Sequence, residues 1–359
     1  MKIIHFCESI TGGIATYLNE LIPEQIKKYG SENVRVVISE TQKKDLSIDK
    51  DILITFGNIN RNSFISQLRM LKTYIKSIKT FNPEVIHLHS TFAGFWFRLY
   101  LLLTFNRKFK VLYCSHGWAF DRETTKINVS IAKFVEIVLQ SVTKKIICIS
   151  DNDRVTAQEN GLNKSKLITI KNAVRNIDIS SVEERILNRD KVNFLFLGRF
   201  DKQKGFDLLV EAVRLCSGND FRLYCIGDNV VSKNNVDILK DDRIFLLGWK
   251  SKKDVISYMK ACDALLMPSR WEGFGLVAIE SLLAGCPVFH SGVGGLKEHY
   301  RNCSFYQTLD KPIDLALLHL LNNSGNMNLK KIKADLKNEY TNEYTVEQLA
   351  IELDKAYRS

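Results

Sequence analysis

Two glutamates, Glu272 and Glu280, flank a glycine pair in the stretch Pro268-Ser269-Arg270-Trp271-Glu272-Gly273-Phe274-Gly275-Leu276 and the apolar run that follows it to Val288. The residue types read in order as a strand end, a glycine loop, a helix and a next strand. Gly273 and Gly275 let the backbone approach a ligand closely. The N–H groups around Gly273, Phe274, Gly275 and Leu276 that open the helix form an anion site with the helix dipole behind them. A diphosphate fits such a site. Glu280 falls about five residues into the helix, roughly 7–8 Å along its axis at 1.5 Å per residue. The carboxylates thus flank the anion at different depths, where they can accept hydrogen bonds from sugar and ribose hydroxyls. Gly285 closes the helix and Pro287 forbids its continuation.

A second loop carries cations. Arg199 and Lys204, in Gly198-Arg199-Phe200-Asp201-Lys202-Gln203-Lys204-Gly205, follow an apolar strand-like run. Ligands bind α/β sheets beyond such strand ends. Two cations there can neutralise a departing nucleoside diphosphate without a metal ion.

Other groupings look chemical but have plainer readings. Asp151-Asn152-Asp153 resembles a carboxylate metal pair, yet Ser150 with Asp153 three residues on is a capping box. Asp49-Lys50-Asp51 precedes a strand. His87 and His89 share a strand face, but no third ligand has matching spacing, so they read as structural or cleft-lining. His5 reads as packed in the first strand, and no metal is expected. Trp118 and Phe120 either stack on a sugar or fill the core. The run Phe92-Ala93-Gly94-Phe95-Trp96-Phe97 either dips into lipid or caps a sheet.

These residues need a scaffold, and its pattern is visible. Short β-branched or aromatic runs (3–7, 34–39, 52–55, 85–89, 111–115, 146–150, 167–171) alternate with longer amphipathic segments, which predicts parallel strands with crossover helices. The polar stretch 172–191 interrupts the alternation, which resumes with strands at 194–197, 223–227, 244–248, 264–268 and 288–291. A chain of 359 residues supports two such domains. The fold class expected is α/β.

Composition narrows the setting. Eight scattered cysteines without a Cys-x-x-Cys pair read as reduced and buried. No signal-peptide pattern precedes the first strand, so a cytoplasmic protein is expected. The apolar run from Phe92 to Phe105 is broken by Arg98 and is shorter than the roughly 20 residues of a spanning helix. The net charge of +11 is lopsided: residues 1–180 hold 26 Lys/Arg against 16 Asp/Glu, and residues 181–359 hold 25 against 24. Arg69, Lys72, Lys76 and Lys79 run beside an apolar stripe of Leu68, Leu71, Ile75 and Ile78. That pattern suits an anionic membrane surface, and equally a core-facing stripe with a solvated basic face. No recognised nucleic-acid module accompanies the charge, and no nucleic-acid partner is expected.

The stretch from Gly248 to Gly295 resembles the signature region of the retaining glycosyltransferases of family 4, group 1, with the GT-B fold. Their Glu-x7-Glu motif falls on Glu272 and Glu280. The resemblance continues in order over nearly the whole chain. Gly12 and Gly13 match the glycine loop that faces the donor phosphates and the acceptor. His116, in Cys114-Ser115-His116-Gly117-Trp118, matches the histidine near the transferred sugar. Arg199 and Lys204 match the pair that clamps the diphosphate, and Gly227 with Trp249 and Lys250 match the segments that hold the base. It departs at Asn172-Ala173-Val174-Arg175, where many members carry Asn-Gly-Val-Asp, and the donor contact sometimes made there is not carried over.

What the resemblance implies is concrete. Two Rossmann-like doubly wound parallel-sheet domains face a cleft: 1–175 on the acceptor side, 176–342 on the nucleotide-sugar side, with 343–359 as a terminal helix packing back toward the first. A sugar would pass with retention from a nucleotide sugar, UDP-linked by preference, to a polyprenyl-diphosphate-linked saccharide of a bacterial O-antigen or capsule. Glu272 and His116 would position the sugar, Glu280 would hold the ribose, and the work would be done at the inner face of the cytoplasmic membrane. Two alternatives stand beside it: a nucleotide-sugar epimerase of the same fold, and a catalytically silent nucleotide- or carbohydrate-binding module.

Overall fold

The computed structural model describes residues 1–10, 12–58, 60, 63–121, 125–175, 181–228, 241–300 and 303–359. Residues 176–180 of the polar stretch between the strand series lie outside the described residues. The chain forms two compact units, Met1–Arg175 with Tyr344–Ser359, and Asn176–Glu343.

The N-terminal unit runs β1 (Ile3–Cys7), α1 (Gly13–Tyr29), β2 (Val34–Ser39), β3 (Leu53–Phe56), α2 (Phe64–Phe81), β4 (Val85–His89), α3 (Thr91–Leu103), β5 (Lys110–Cys114), α4 (Lys126–Leu139), β6 (Lys145–Cys148), α5 (Asp151–Glu159) and β7 (Leu167–Thr169). β1 and β4 are buried along their whole length and pair in parallel under helices, their apolar residues interrupted by His5, His87 and His89. The sheet order is β3-β2-β1-β4-β5-β6-β7, so the winding reverses between β1 and β4. Phe6, Tyr74 and Phe97 fill the core under α2 and α3, with Phe6 and Tyr74 stacked at 4.2 Å.

The C-terminal unit repeats the plan with β8 (Val192–Leu197), α6 (Phe206–Leu215), β9 (Phe221–Ile226), β10 (Ile244–Gly248), α7 (Lys252–Ala261), β11 (Ala264–Met267), α8 (Leu276–Leu283), β12 (Val288–His290), β13 (Tyr306–Thr308), α9 (Ile313–Asn322) and α10 (Leu329–Glu339). Its order, β10-β9-β8-β11-β12-β13, reverses between β8 and β11. Helix α11 (Val346–Arg358) then belongs to the N-terminal unit. Val174 N–H donates to the Tyr344 carbonyl, the Tyr29 hydroxyl donates to Asp354, and Lys28 pairs with Asp354 at 2.8 Å.

Several open readings are decided here. Trp118 and Phe120 are buried and stacked on each other in the core. The aromatic run opens α3, with Phe97 in the core and Phe95 and Trp96 half-buried. Arg98 is fully buried and pairs with Glu136 at 2.9 Å, its guanidinium 3.7 Å from the Tyr113 ring centre. Among the described residues no helix is long and apolar enough to cross a membrane. Ser150 caps α5 through Asp153 N–H at 3.0 Å, as the capping box requires. On α2 the buried positions include Met70, Tyr74, Ile78 and Phe81, while Arg69, Lys72, Lys76 and Lys79 are exposed. Leu68, Leu71 and Ile75 are half-buried: Leu71 packs against the core, while Ile75 borders the surface depression lined by Lys72, Lys76 and Lys79.

Candidate active site

In the C-terminal unit the site is assembled at the winding reversal. The β8 loop carries Arg199 and Lys204, and the β11 loop carries Glu272. Lys204 Nζ meets Glu272 Oε2 at 2.5 Å. Arg199 turns to its own loop, pairing with Asp201 at 3.2 Å and bonding Gln203. Both cations are therefore matched by nearby carboxylates. Two close approaches lock the loops together. A Cβ on Gly205 would lie 2.0 Å from the Pro268 carbonyl, and one on Gly294 would lie 1.8 Å from the Glu272 carbonyl. Arg270 adds a two-pronged pair to Asp207, both contacts at 2.7 Å, and donates to the Lys202 carbonyl.

Helix α8 starts where the glycine pattern says it must. Gly275 is its N-cap with φ +86°, a conformation that glycine adopts without strain. Phe274 is buried, packed edge-on against His299 at 4.6 Å, with its carbonyl on His299 Nε2. Its contribution to an anion site is therefore its backbone alone. Glu280 is the fifth residue of the helix and half-buried. Gly285, at φ +79°, ends the helix, with Cys286 N–H on the Ser281 carbonyl and Gly285 N–H on the Leu282 carbonyl, a Schellman closure.

In the N-terminal unit Gly12 caps α1 at φ +84°, and Gly13 begins the helix. His116 follows β5 with φ +56°, a strained value for a residue with a Cβ. Its Nε2 lies 2.9 Å from His89 Nδ1, and its ring sits edge-on to Tyr17. His5 does not stand alone in its strand. It pairs in register with His87, and its Nδ1 lies 2.9 Å from His89 Nε2. The third nitrogen that spacing along the chain did not show thus comes from the neighbouring strand, and His5, His87 and His89 offer ring nitrogens within 4.8 Å of one another. Hydrogen bonds already occupy these nitrogens apart from His87 Nε2, so the cluster is a hydrogen-bonded ladder. Burial pushes the His5 pKa down to about 4 and that of His116 down to about 3, and holds His87 and His89 well below the usual histidine range.

Comparison with known proteins matches both units to one enzyme class. The glycosyltransferase family 4 profile matches residues 11–175, and the profile of glycosyl transferases group 1 matches residues 180–304. A 41.2 kDa protein of the cps region of Klebsiella pneumoniae, itself uncharacterized, is 34% identical over 83% of this chain and 83% of its own length. The chain is a group 1 glycosyltransferase. The UDP-Gal:alpha-D-GlcNAc-diphosphoundecaprenol alpha-1,3-galactosyltransferase of Escherichia coli is 26% identical over 65% of this chain and 64% of its own. The crystal structure of Anabaena HepE in complex with UDP and glucose superposes with a TM-score of 0.77 at 16% identity, covering 100% of this chain and 99% of that one, and shares the GT-B fold.

The remaining assigned residues of this glycosyltransferase sit as follows. Gly227, after β9, has a Cβ position 1.8 Å from the Gly198 carbonyl, so only glycine permits that approach. Trp249 and Lys250, after β10, are exposed, and Trp249 shows 57% of its surface. Arg175, at the departure from the family's Asn-Gly-Val-Asp pattern, pairs with Glu20 at 3.0 Å and Glu24 at 3.2 Å, which commits it to α1. Sequence reasoning missed the Arg270–Asp207 pair, because nothing in the spacing of those two residues marks them as partners.

Proposed function

We propose that this glycosyltransferase moves a sugar, with retention, from a UDP-sugar onto a polyprenyl-diphosphate-linked saccharide of a surface polysaccharide. The observation that carries this reading is the Lys204–Glu272 pair at the β8/β11 reversal beside the N-terminus of α8. An arriving diphosphate replaces Glu272 as the partner of Lys204, with Arg199 and the backbone of Gly273, Phe274, Gly275 and Leu276 completing the cradle. Glu272, released, accepts hydrogen bonds from the sugar, and Glu280 accepts from the ribose. Gly12, Gly13 and His116 are assigned to the phosphate and sugar, and Gly227, Trp249 and Lys250 to the base. The cations carry the leaving-group charge, so the reaction proceeds without a metal. The names of the relatives favour a UDP-linked donor and a lipid diphosphate acceptor.

The acceptor end of this reading places the enzyme peripherally on the anionic inner leaflet of the cytoplasmic membrane. Two features of the N-terminal unit support that. Lys72, Lys76 and Lys79 line a shallow depression of about 420 Å³ on α2. On α4, Ile127, Ile131 and Phe134 step along one face and are 73%, 55% and 68% exposed. Such a row of unburied apolar side chains suits an interfacial helix. The test is mass spectrometry of lipid-linked saccharides after a panel of nucleotide sugars is offered with and without acceptor. Extension of the lipid-linked species by one sugar is expected; an isomerised nucleotide sugar formed without acceptor would establish the epimerase alternative instead.

A further inference from the structure

Three histidines of the N-terminal unit form one hydrogen-bonded file that ends on a glutamine, with a fourth, His87, beyond it. His116 Nε2 meets His89 Nδ1 at 2.9 Å, His89 Nε2 meets His5 Nδ1 at 2.9 Å, and His5 Nε2 meets the Gln25 side-chain oxygen at 2.7 Å. The Gln25 amide nitrogen donates to the Tyr357 hydroxyl at 3.1 Å, and that hydroxyl is hydrogen-bonded to His87 Nδ1 at 2.8 Å. His5, His87 and His89 are wholly buried and Gln25 nearly so, which leaves these groups only one another as partners.

Proton counting then gives the file a direction. A neutral imidazole has one N–H and one bare nitrogen. The Gln25 oxygen can only accept, so His5 carries its proton on Nε2 and its Nδ1 is bare. That bare nitrogen accepts from Nε2–H of His89, whose Nδ1 is bare in turn and accepts from Nε2–H of His116. The last ring is left with a bare Nδ1, which has no hydrogen-bond partner among the described residues.

We propose that Gln25 is a positioning residue that sets the tautomer of His116 through His5 and His89, so that His116 offers its Nδ1 lone pair to a sugar hydroxyl. The hydroxyl as partner rests on the transferase reading above; the tautomer rests on the hydrogen bonds alone. In this state His116 cannot donate from Nδ1 to a phosphate oxygen, which makes it a selector of hydroxyl over anion. The burial that keeps these rings neutral is a condition of the mechanism, because a second proton on any of them would break the file. The left-handed backbone at His116, followed by Gly117 at φ +118°, is the local distortion that turns the ring back onto His89.

The test is long-range nitrogen–proton NMR of the full-length protein with ¹⁵N-labelled histidine, read with turnover of the nucleotide sugar and UDP affinity by calorimetry. Wild-type His116 is expected as the Nε2–H tautomer. Gln25→Leu is expected to mix the two tautomers and lower turnover on the order of tenfold, with UDP affinity unchanged. A wild-type His116 protonated on Nδ1, or a Gln25→Leu protein with unaltered tautomer, overturns the proposal without requiring any variant to be active. A wild-type protein with the expected tautomer that transfers no sugar sinks the transferase reading and leaves the ladder standing.

Discussion

Lys204 Nζ and Glu272 Oε2 lie 2.5 Å apart, joining the loop after β8 to the loop after β11 at the point where the sheet winding reverses. The pair holds both side chains ready: an anion that displaces Glu272 finds a cation already in place, and the carboxylate it displaces is already beside it. Lys204→Ala is expected to weaken UDP binding by about tenfold or more, the loss that follows from a charge-assisted hydrogen bond worth about 1.5–3 kcal/mol. Glu272→Ala is expected to lower turnover more than UDP affinity. Calorimetry on the two single variants and the double variant checks this; equal UDP affinity in Lys204→Ala and wild type removes Lys204 from the diphosphate site.

The Arg98–Glu136 pair is a structural counterpart, buried in the N-terminal unit with the Tyr113 hydroxyl donating to Glu136. Glu136→Ala leaves a guanidinium without its counter-charge in the core, a change that costs about 3–5 kcal/mol. Urea unfolding reports the loss, and a change under about 1 kcal/mol, as for a surface pair, would show that Arg98 finds water or another partner.

Acid should loosen the protein through its histidines. His5, at about 4, and His116, at about 3, have folded pKa values below the ordinary 6.5 because burial disfavours the charged ring. The unfolded chain therefore binds more protons between these values, and stability present above about pH 6.5 is lost as the pH falls toward 4. The melting temperature is expected to drop by several degrees between about pH 7.5 and about pH 5, given roughly 2–4 °C per kcal/mol for units of this size. His116→Asn should flatten that slope; a slope identical to wild type would mean that His116 does not titrate on unfolding in this range.

Membrane attachment separates the two candidate faces. Charge reversal at Arg69, Lys72, Lys76 and Lys79 is expected to lower sedimentation with anionic vesicles in a salt-dependent way. Ile127→Ser, Ile131→Ser and Phe134→Ser together are expected to lower it at any salt. Full binding by both variants would place the bilayer contact elsewhere.

Periodicity exposed the strands because parallel strands covered on both faces must be largely apolar, as in Ile3–Cys7 and Val85–His89, where only histidines break the run. Strand β13 escaped notice: Tyr306-Gln307-Thr308 is three residues long and marked by nothing but its neighbour β12. Glu272, Gly275 and Glu280 were legible since helix initiation by a left-handed glycine is a local requirement. The partnership of Lys204 with Glu272, and of His5 with His89, was not legible. Each joins strands distant in the chain that become neighbours only when the sheet reverses its winding. The exposed row on α4 was hidden for a related reason, because the spacing of Ile127, Ile131 and Phe134 is the same for a buried stripe as for a bare one.

The most direct measurement is a crystal structure of the protein with UDP. The expected result is the diphosphate at the N-terminus of α8, with Lys204 turned from Glu272 to a phosphate oxygen, Arg199 released from Asp201, and the ribose hydroxyls on Glu280. A UDP bound away from residues 272–280, with the Lys204–Glu272 pair intact, would contradict it.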